Sequence, residues 1–193
     1  MKNTKAKAKS KAKSKKLYSF DAQKNKKLRR NISAASVLTA AIMLVIGFLI
    51  VPIRSLYDVP SLGAFLWRAA IIVLGMAACL VIHEEIHLIV MKRMTGKSAE
   101  AGFENAYPYI GSSESFGKRS YLIISLAPIV IIGAVLLALL FIVPKSWFWV
   151  VYIIFIMHIS GSVGDFYCAY KIITEKNSIR IKDEGKSVEI WKA

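Results

Sequence analysis

The chain has 193 residues, 55% of them hydrophobic, with a mean hydropathy of +0.49 and a formal net charge of +15 at pH 7. That apolar content excludes an ordinary soluble domain and marks a membrane protein. The charge is also segregated: 13 of the 27 Lys and Arg lie in the first thirty residues, against one acid, Asp21.

In chain order, the tail MKNTKAKAKSKAKSKK alternates Lys with Ala or Ser and has no apolar face. Such a segment cannot bury enough surface to fold, so residues 1–30 are expected to be a disordered, polybasic tail. No stacking aromatics or binding module accompany it, which disfavours nucleic acid and leaves anionic lipid as its natural partner. Four long apolar segments follow, each comparable to the roughly 20 residues needed to cross a bilayer. They are Ile32–Ile53, Trp67–Met91, Tyr121–Val143, with Pro128 as an expected kink, and Trp147–Tyr170. The first is long enough to span and lacks a clear cleavage site, so it reads as a retained helix rather than a secretory signal. Residues 92–120 are rich in Gly, Ser and Pro and read as a loop or short hairpin. The fold class is therefore an all-α polytopic membrane protein: four transmembrane helices (residues 31–170), the tail, and a polar C-terminal segment (171–193) with one short strand or helix.

With four crossings, the tail, the 92–120 loop and the C-terminal segment share one side and hold 13, 5 and 6 basic residues; the other side holds Arg54, Arg68 and Lys145. The positive-inside rule then puts both termini in the cytoplasm, in a cell membrane. Trp67, Trp147 and Trp149 fall at outer helix ends, where aromatic belts are expected. Cys79 and Cys168 both lie within spans, so no extracellular disulfide framework is implied.

The chemistry is concentrated in VIHEEIHLIV, residues 81–90. On a helix His83 and His87 lie one turn apart on one face and can share a zinc ion. Glu84 can serve as general base toward a water at that ion, the H-E-x-x-H arrangement of zinc metalloproteases. Ionisable groups inside a bilayer cost roughly 2.5 to 3.5 kcal/mol each on insertion scales, so a merely structural cluster is the costlier reading. A third ligand is needed. Asp165 is the prime candidate: counted from Trp67, His83 and His87 are residues 17 and 21, and counted from Trp147, Asp165 is residue 19 of a span running the same way. Gly161, Ser162 and Gly164 are expected to let the two helices approach closely. Glu85 projects about 100° away from Glu84 and reads as pairing locally or facing another helix rather than joining the chemistry. His158, seven residues before Asp165, would lie about 10 Å further out on a continuous helix and reads as a hydrogen-bonded bundle histidine. Cys79 and Cys168 read as packing residues before soft ligands. Asn105, Tyr107 and His158 are the candidates for stabilising an oxyanion.

HEEIH on an apolar helix, the following cytoplasmic loop, Ala127-Pro128 in the next span and GSVGD in the last resemble the bacterial membrane family of zincin peptidases. More distantly they are similar to the site-2 intramembrane zinc metalloproteases. The resemblance covers roughly residues 30–170 and implies that His83, His87 and Asp165 are the metal ligands and Glu84 the catalytic residue. GSVGDFY stands where the site-2 proteases carry Asn-Pro-x-x-Asp-Gly. The membrane glutamic peptidases are disfavoured, because Ile89 stands where they carry arginine. The expected activity is hydrolysis of peptide bonds in membrane-spanning or membrane-proximal protein or peptide substrates, near the cytoplasmic face, with Zn2+ as cofactor. A catalytically silent zinc-binding scaffold is the alternative, discriminated by Glu84. A metal transporter is less favoured, because the outer halves of spans two and four are almost wholly apolar.

Overall fold

The computed structural model describes residues 15–21, 24–96, 100–104, 107–185 and 187–193. Three helices are long and apolar enough to cross a membrane: α1 (Lys26–Ile50), α3 (Leu62–Thr95) and α4 (Lys118–Ile142). A short helix, α2 (Arg54–Tyr57), joins the first two. A fourth crossing is met only by a broken pair, α5 (Phe148–Gly161) and α6 (Val163–Thr174), which with the preceding turn Lys145–Trp147 bends by 42°.

The caps explain the helix limits. The Asn25 side chain accepts from the Leu28 N–H at 3.0 Å and starts α1 inside the stretch expected to be tail. The Ser61 hydroxyl accepts from the Ala64 N–H, and Gly96 ends α3 in the left-handed region at φ 69 that only glycine adopts freely. At 34 residues α3 is about 51 Å long, so it overruns a hydrocarbon core of about 30 Å. Large apolar side chains on these helices face outward: Leu49 is 82% exposed and Phe141 85%. A soluble fold would hide such surface; lipid covers it at no cost.

The chain is mostly helical, but it is not all-α. Strands β1 (Lys16–Phe20), β4 (Ser115–Gly117), β5 (Ile179–Asp183) and β6 (Val188–Lys192) form an antiparallel sheet in the order β1-β6-β5-β4. Two expectations are thereby corrected. Residues 16–20 are ordered as an edge strand, because Tyr18 pairs with Ile190 and Phe20 with Val188, and the C-terminal segment supplies two strands rather than one. Residues 1–14 lie outside the described residues. The sheet buries Ile179, Ile181 and Ile190 against Met91, Tyr121, Ile124 and Ile172 at the neighbouring helix ends. The expected hairpin in residues 92–120 is present as β2 (Glu100–Glu104) and β3 (Tyr107–Gly111), antiparallel, with β3 beside α3. Its end meets the β5–β6 turn: a Cβ on Gly111 would collide with the Glu184 backbone, and the Ser112 N–H donates to the Asp183 carbonyl.

On the opposite side of the bundle, Trp149 is fully buried with its indole N–H shared between the Val51 and Pro52 carbonyls. It anchors α5 to the end of α1 and is not part of an interfacial belt. The Tyr152 hydroxyl donates to the Met43 carbonyl at 2.6 Å, tying the same two helices.

Candidate metal centre

His83 and His87 lie on the buried face of α3, each 9% exposed, and Asp165 lies in the first turn of α6. The break before α6 explains that carboxylate's place. The Ser162 hydroxyl donates to the His158 carbonyl and closes α5, while the Ser162 carbonyl accepts the N–H groups of Asp165 and Phe166 and opens α6. The carboxylate thus sits at a new helix N-terminus, where the backbone dipoles favour negative charge. A continuous fourth helix would have offered no such end.

The three side chains converge. His87 Nε2 stands 3.1 Å from His83 Nε2, which stands 3.2 Å from Asp165 Oδ2; His87 Nε2 is 3.6 Å from Asp165 Oδ1. Two ligand atoms about 2.0–2.1 Å from a tetrahedral zinc stand about 3.3–3.4 Å apart, so the observed separations fit that ion. Among the described residues this is the group of His, Cys, Asp or Glu arranged to hold a metal, with all ligand atoms within 4.8 Å of one another. Neither Cys79 nor Cys168 belongs to it; both are free thiols.

The far nitrogen of His87 is also fixed. Nδ1 lies 3.0 Å from the Ile124 carbonyl, which can only accept, so Nδ1 carries the proton and Nε2 keeps its lone pair for a metal.

Glu84 is partly buried and lines one cavity of about 750 Å³ with His83, His87, His158 and Asp165. It interacts electrostatically with both motif histidines, with Asp165 and with Asp183. Glu85 is exposed, on another face of the helix, as its spacing predicts.

His158 lies beside the motif. Its ring centroid is 5.6 Å from that of His83, on α5 packed against α3. It is 7% exposed and lines the cavity; its Nε2 is buried without a hydrogen-bond partner among the described residues, while the ring also meets the backbone of Pro128 and Ile129 on α4, as a hydrogen-bonded bundle histidine does. Gly161 and Gly164 act differently from expectation. A Cβ at either would meet nothing within 4 Å, so they open the cavity wall instead of admitting a neighbouring helix. The close approaches fall elsewhere, at Gly47 against Tyr152 and at Gly75 against Ile154. Asn105 and the Tyr107 side chain lie outside the described residues.

Sequence reasoning missed Asp183 and Tyr121. Asp183, from β5, reaches the same cavity and accepts the Tyr121 hydroxyl at 2.5 Å and the Gly185 N–H at 2.8 Å. Burial holds its carboxyl above the usual carboxylate range, against the pull of those two bonds. No local signal marks it, since its place depends on the sheet closing against the helix ends.

The family described as "Putative zincin peptidase" matches residues 76–180, more than half the chain. The chain belongs to that family. The matched span contains HEEIH and Asp165, and zincin chemistry implies zinc, which the donor set of two imidazoles and one carboxylate suits. No curated protein and no solved structure matches the chain.

Proposed function

We propose that the protein is a membrane-embedded zinc metalloendopeptidase that cuts membrane-spanning or membrane-proximal polypeptides near the cytoplasmic face. The observation that carries this reading is the convergence of His83, His87 and Asp165 at zinc-ligand spacing, with Glu84 in the same cavity. A structural zinc site is closed by four protein ligands and has no use for a base. Here, among the described residues, the group has three, which favours a catalyst over a silent scaffold.

Zinc, when bound, supplies Lewis acidity that polarises a carbonyl and brings the pKa of water toward ~7. Glu84 takes the proton from the attacking water and passes it to the leaving amine. Asp165 and the two histidines hold the ligand geometry. We assign His158, with its unpartnered Nε2 beside His83, to the carbonyl oxygen as negative charge develops there. The apolar cavity wall, including Val73, Met76, Leu80 and Ile154, accepts an apolar segment from the bilayer side.

The depth of cleavage follows from the flanking charges. His87 precedes Lys92 by five residues and Asp165 precedes Lys171 by six. If both lysines mark the inner surface, the site lies roughly 7 to 12 Å beneath it, and water reaches it from the cytoplasm. A helical substrate must unwind before its amide is exposed, and the two-stranded hairpin β2–β3 has free edges among the described residues on which such a segment can pair. The basic tail meets anionic lipid on the same side.

The test is a proteomic comparison of membranes carrying wild-type protein or Glu84→Gln, followed by mass-spectrometric mapping of the cut bond in any polypeptide that accumulates with the variant. A cut near the cytoplasmic end of a span is expected. A cut on the opposite side refutes the placement, and no difference in any membrane polypeptide returns the scaffold reading.

A further inference from the structure

The pairing of His87 Nδ1 with the Ile124 carbonyl has a cause in sequence. In an α-helix the carbonyl of residue 124 accepts the N–H of residue 128. Residue 128 is Pro128, inside α4 and buried, and it has no N–H to give. The helix nevertheless runs unbroken from Lys118 to Ile142. The Ile124 carbonyl therefore loses its helical donor at a residue only 1% exposed, and an orphaned backbone group packed away from a partner is costly. The donor that meets it is the Nδ1–H of His87, 3.0 Å away on α3. Each group supplies what the other lacks. The carbonyl gains a donor, and the imidazole is held in one tautomer and one orientation, with Nε2 turned toward His83 and Asp165.

We propose that Pro128 is a positioning residue of the metal centre: by withholding a backbone N–H it leaves the Ile124 carbonyl free to orient His87. Any other residue at 128 restores an N–H on the helix axis, which competes for that carbonyl. The His87 ring is then free to rotate or to exchange its proton between Nδ1 and Nε2, and its metal-facing lone pair is no longer held in place. Outer-shell partners of this kind are worth about 10- to 100-fold in metal affinity. Removing a proline from a helix interior favours the helix itself, so the substitution is expected to weaken zinc binding without weakening α4. A packing role predicts no such separation. The inference rests on the reading of His87 as a zinc ligand.

The test uses the full chain in detergent or nanodiscs, with Pro128→Ala and Pro128→Val. Both restore the N–H but change the side-chain volume in opposite directions, so an effect of packing separates them and an effect of the N–H does not. Zinc affinity is read by competition with a chromogenic chelator, and the His87 tautomer by imidazole 15N shifts in zinc-free protein. Both variants are expected to lose about 10- to 100-fold in zinc affinity, to lose the single Nδ1–H signature of His87, and to keep wild-type thermal stability or exceed it. Wild-type affinity with an unchanged imidazole signature overturns the proposal, as does a loss confined to one of the two variants. If the wild-type protein binds no zinc, the peptidase reading fails, and the imidazole signature alone still decides whether Pro128 orients His87.

Discussion

Replacing Tyr121 by Phe tests whether the C-terminal sheet is coupled to the cavity through Asp183. The change deletes one hydroxyl, which donates to Asp183 Oδ2 at 2.5 Å; the other carboxylate oxygen keeps the Gly185 N–H at 2.8 Å. A hydrogen bond to a charged group contributes about 1.5–3 kcal/mol, equivalent to a rise of roughly one to two units in the Asp183 pKa. At roughly 2–4 °C per kcal/mol for a chain of this size, the melting midpoint should fall by about 3–12 °C. The pH dependence has a definite sign. Burial already holds the Asp183 carboxyl above its usual range. A carboxyl raised in the folded state contributes stability that is full below its unfolded pKa of ~3.9 and is lost as pH rises through the folded value. Tyr121→Phe raises that value further, so its deficit should be small at about pH 4 and full at about pH 8. Thermal unfolding of wild-type and variant protein across that range, repeated in an Asp183→Asn background, measures the effect. A deficit independent of pH, or one that survives undiminished beside Asp183→Asn, refutes the reasoning.

Glu84→Gln should keep zinc at wild-type occupancy while cleavage falls by about 10²–10⁴-fold, because it removes a base and no ligand; metal analysis and a peptide-cleavage assay read the two separately. His83→Ala, His87→Ala and Asp165→Asn should each lower zinc content, and full occupancy in Asp165→Ala would remove that residue from the ligand set. His158→Ala should retain zinc and lose about 10²–10³-fold in kcat with little change in KM, and an unchanged kcat would reduce it to a packing residue. Ile181→Ala, at a side chain with no exposure, should cost about 2–5 kcal/mol and speed proteolysis of the sheet while the helices stay protected.

The sequence by itself determined the apolar segments, the HEEIH face and Asp165 as the third member of the cluster. Each follows from a short-range rule: run length for a span, a spacing of four for two ligands on one face, and residue count along two spans of equal direction. Tertiary structure decided the rest. The nearness of His158 to His83 follows from how α5 packs against α3, which a count along one helix to Asp165 does not report, and the helix changes direction by 42° at Ser162. The same break turns Gly161 and Gly164 into cavity wall and gives Asp165 a helix N-terminus. The sheet was illegible for a different reason. Residues 16–20 carry no apolar pattern strong enough to fold alone, and they become a strand only because β6, some 170 positions later in the chain, offers Ile190 and Val188 as partners. Asp183 and Tyr121 meet for the same reason, 62 residues apart. Pro128 shows the boundary most clearly. Its sequence position announces a helix with one N–H missing; only the packing of α3 against α4 shows that His87 supplies the donor.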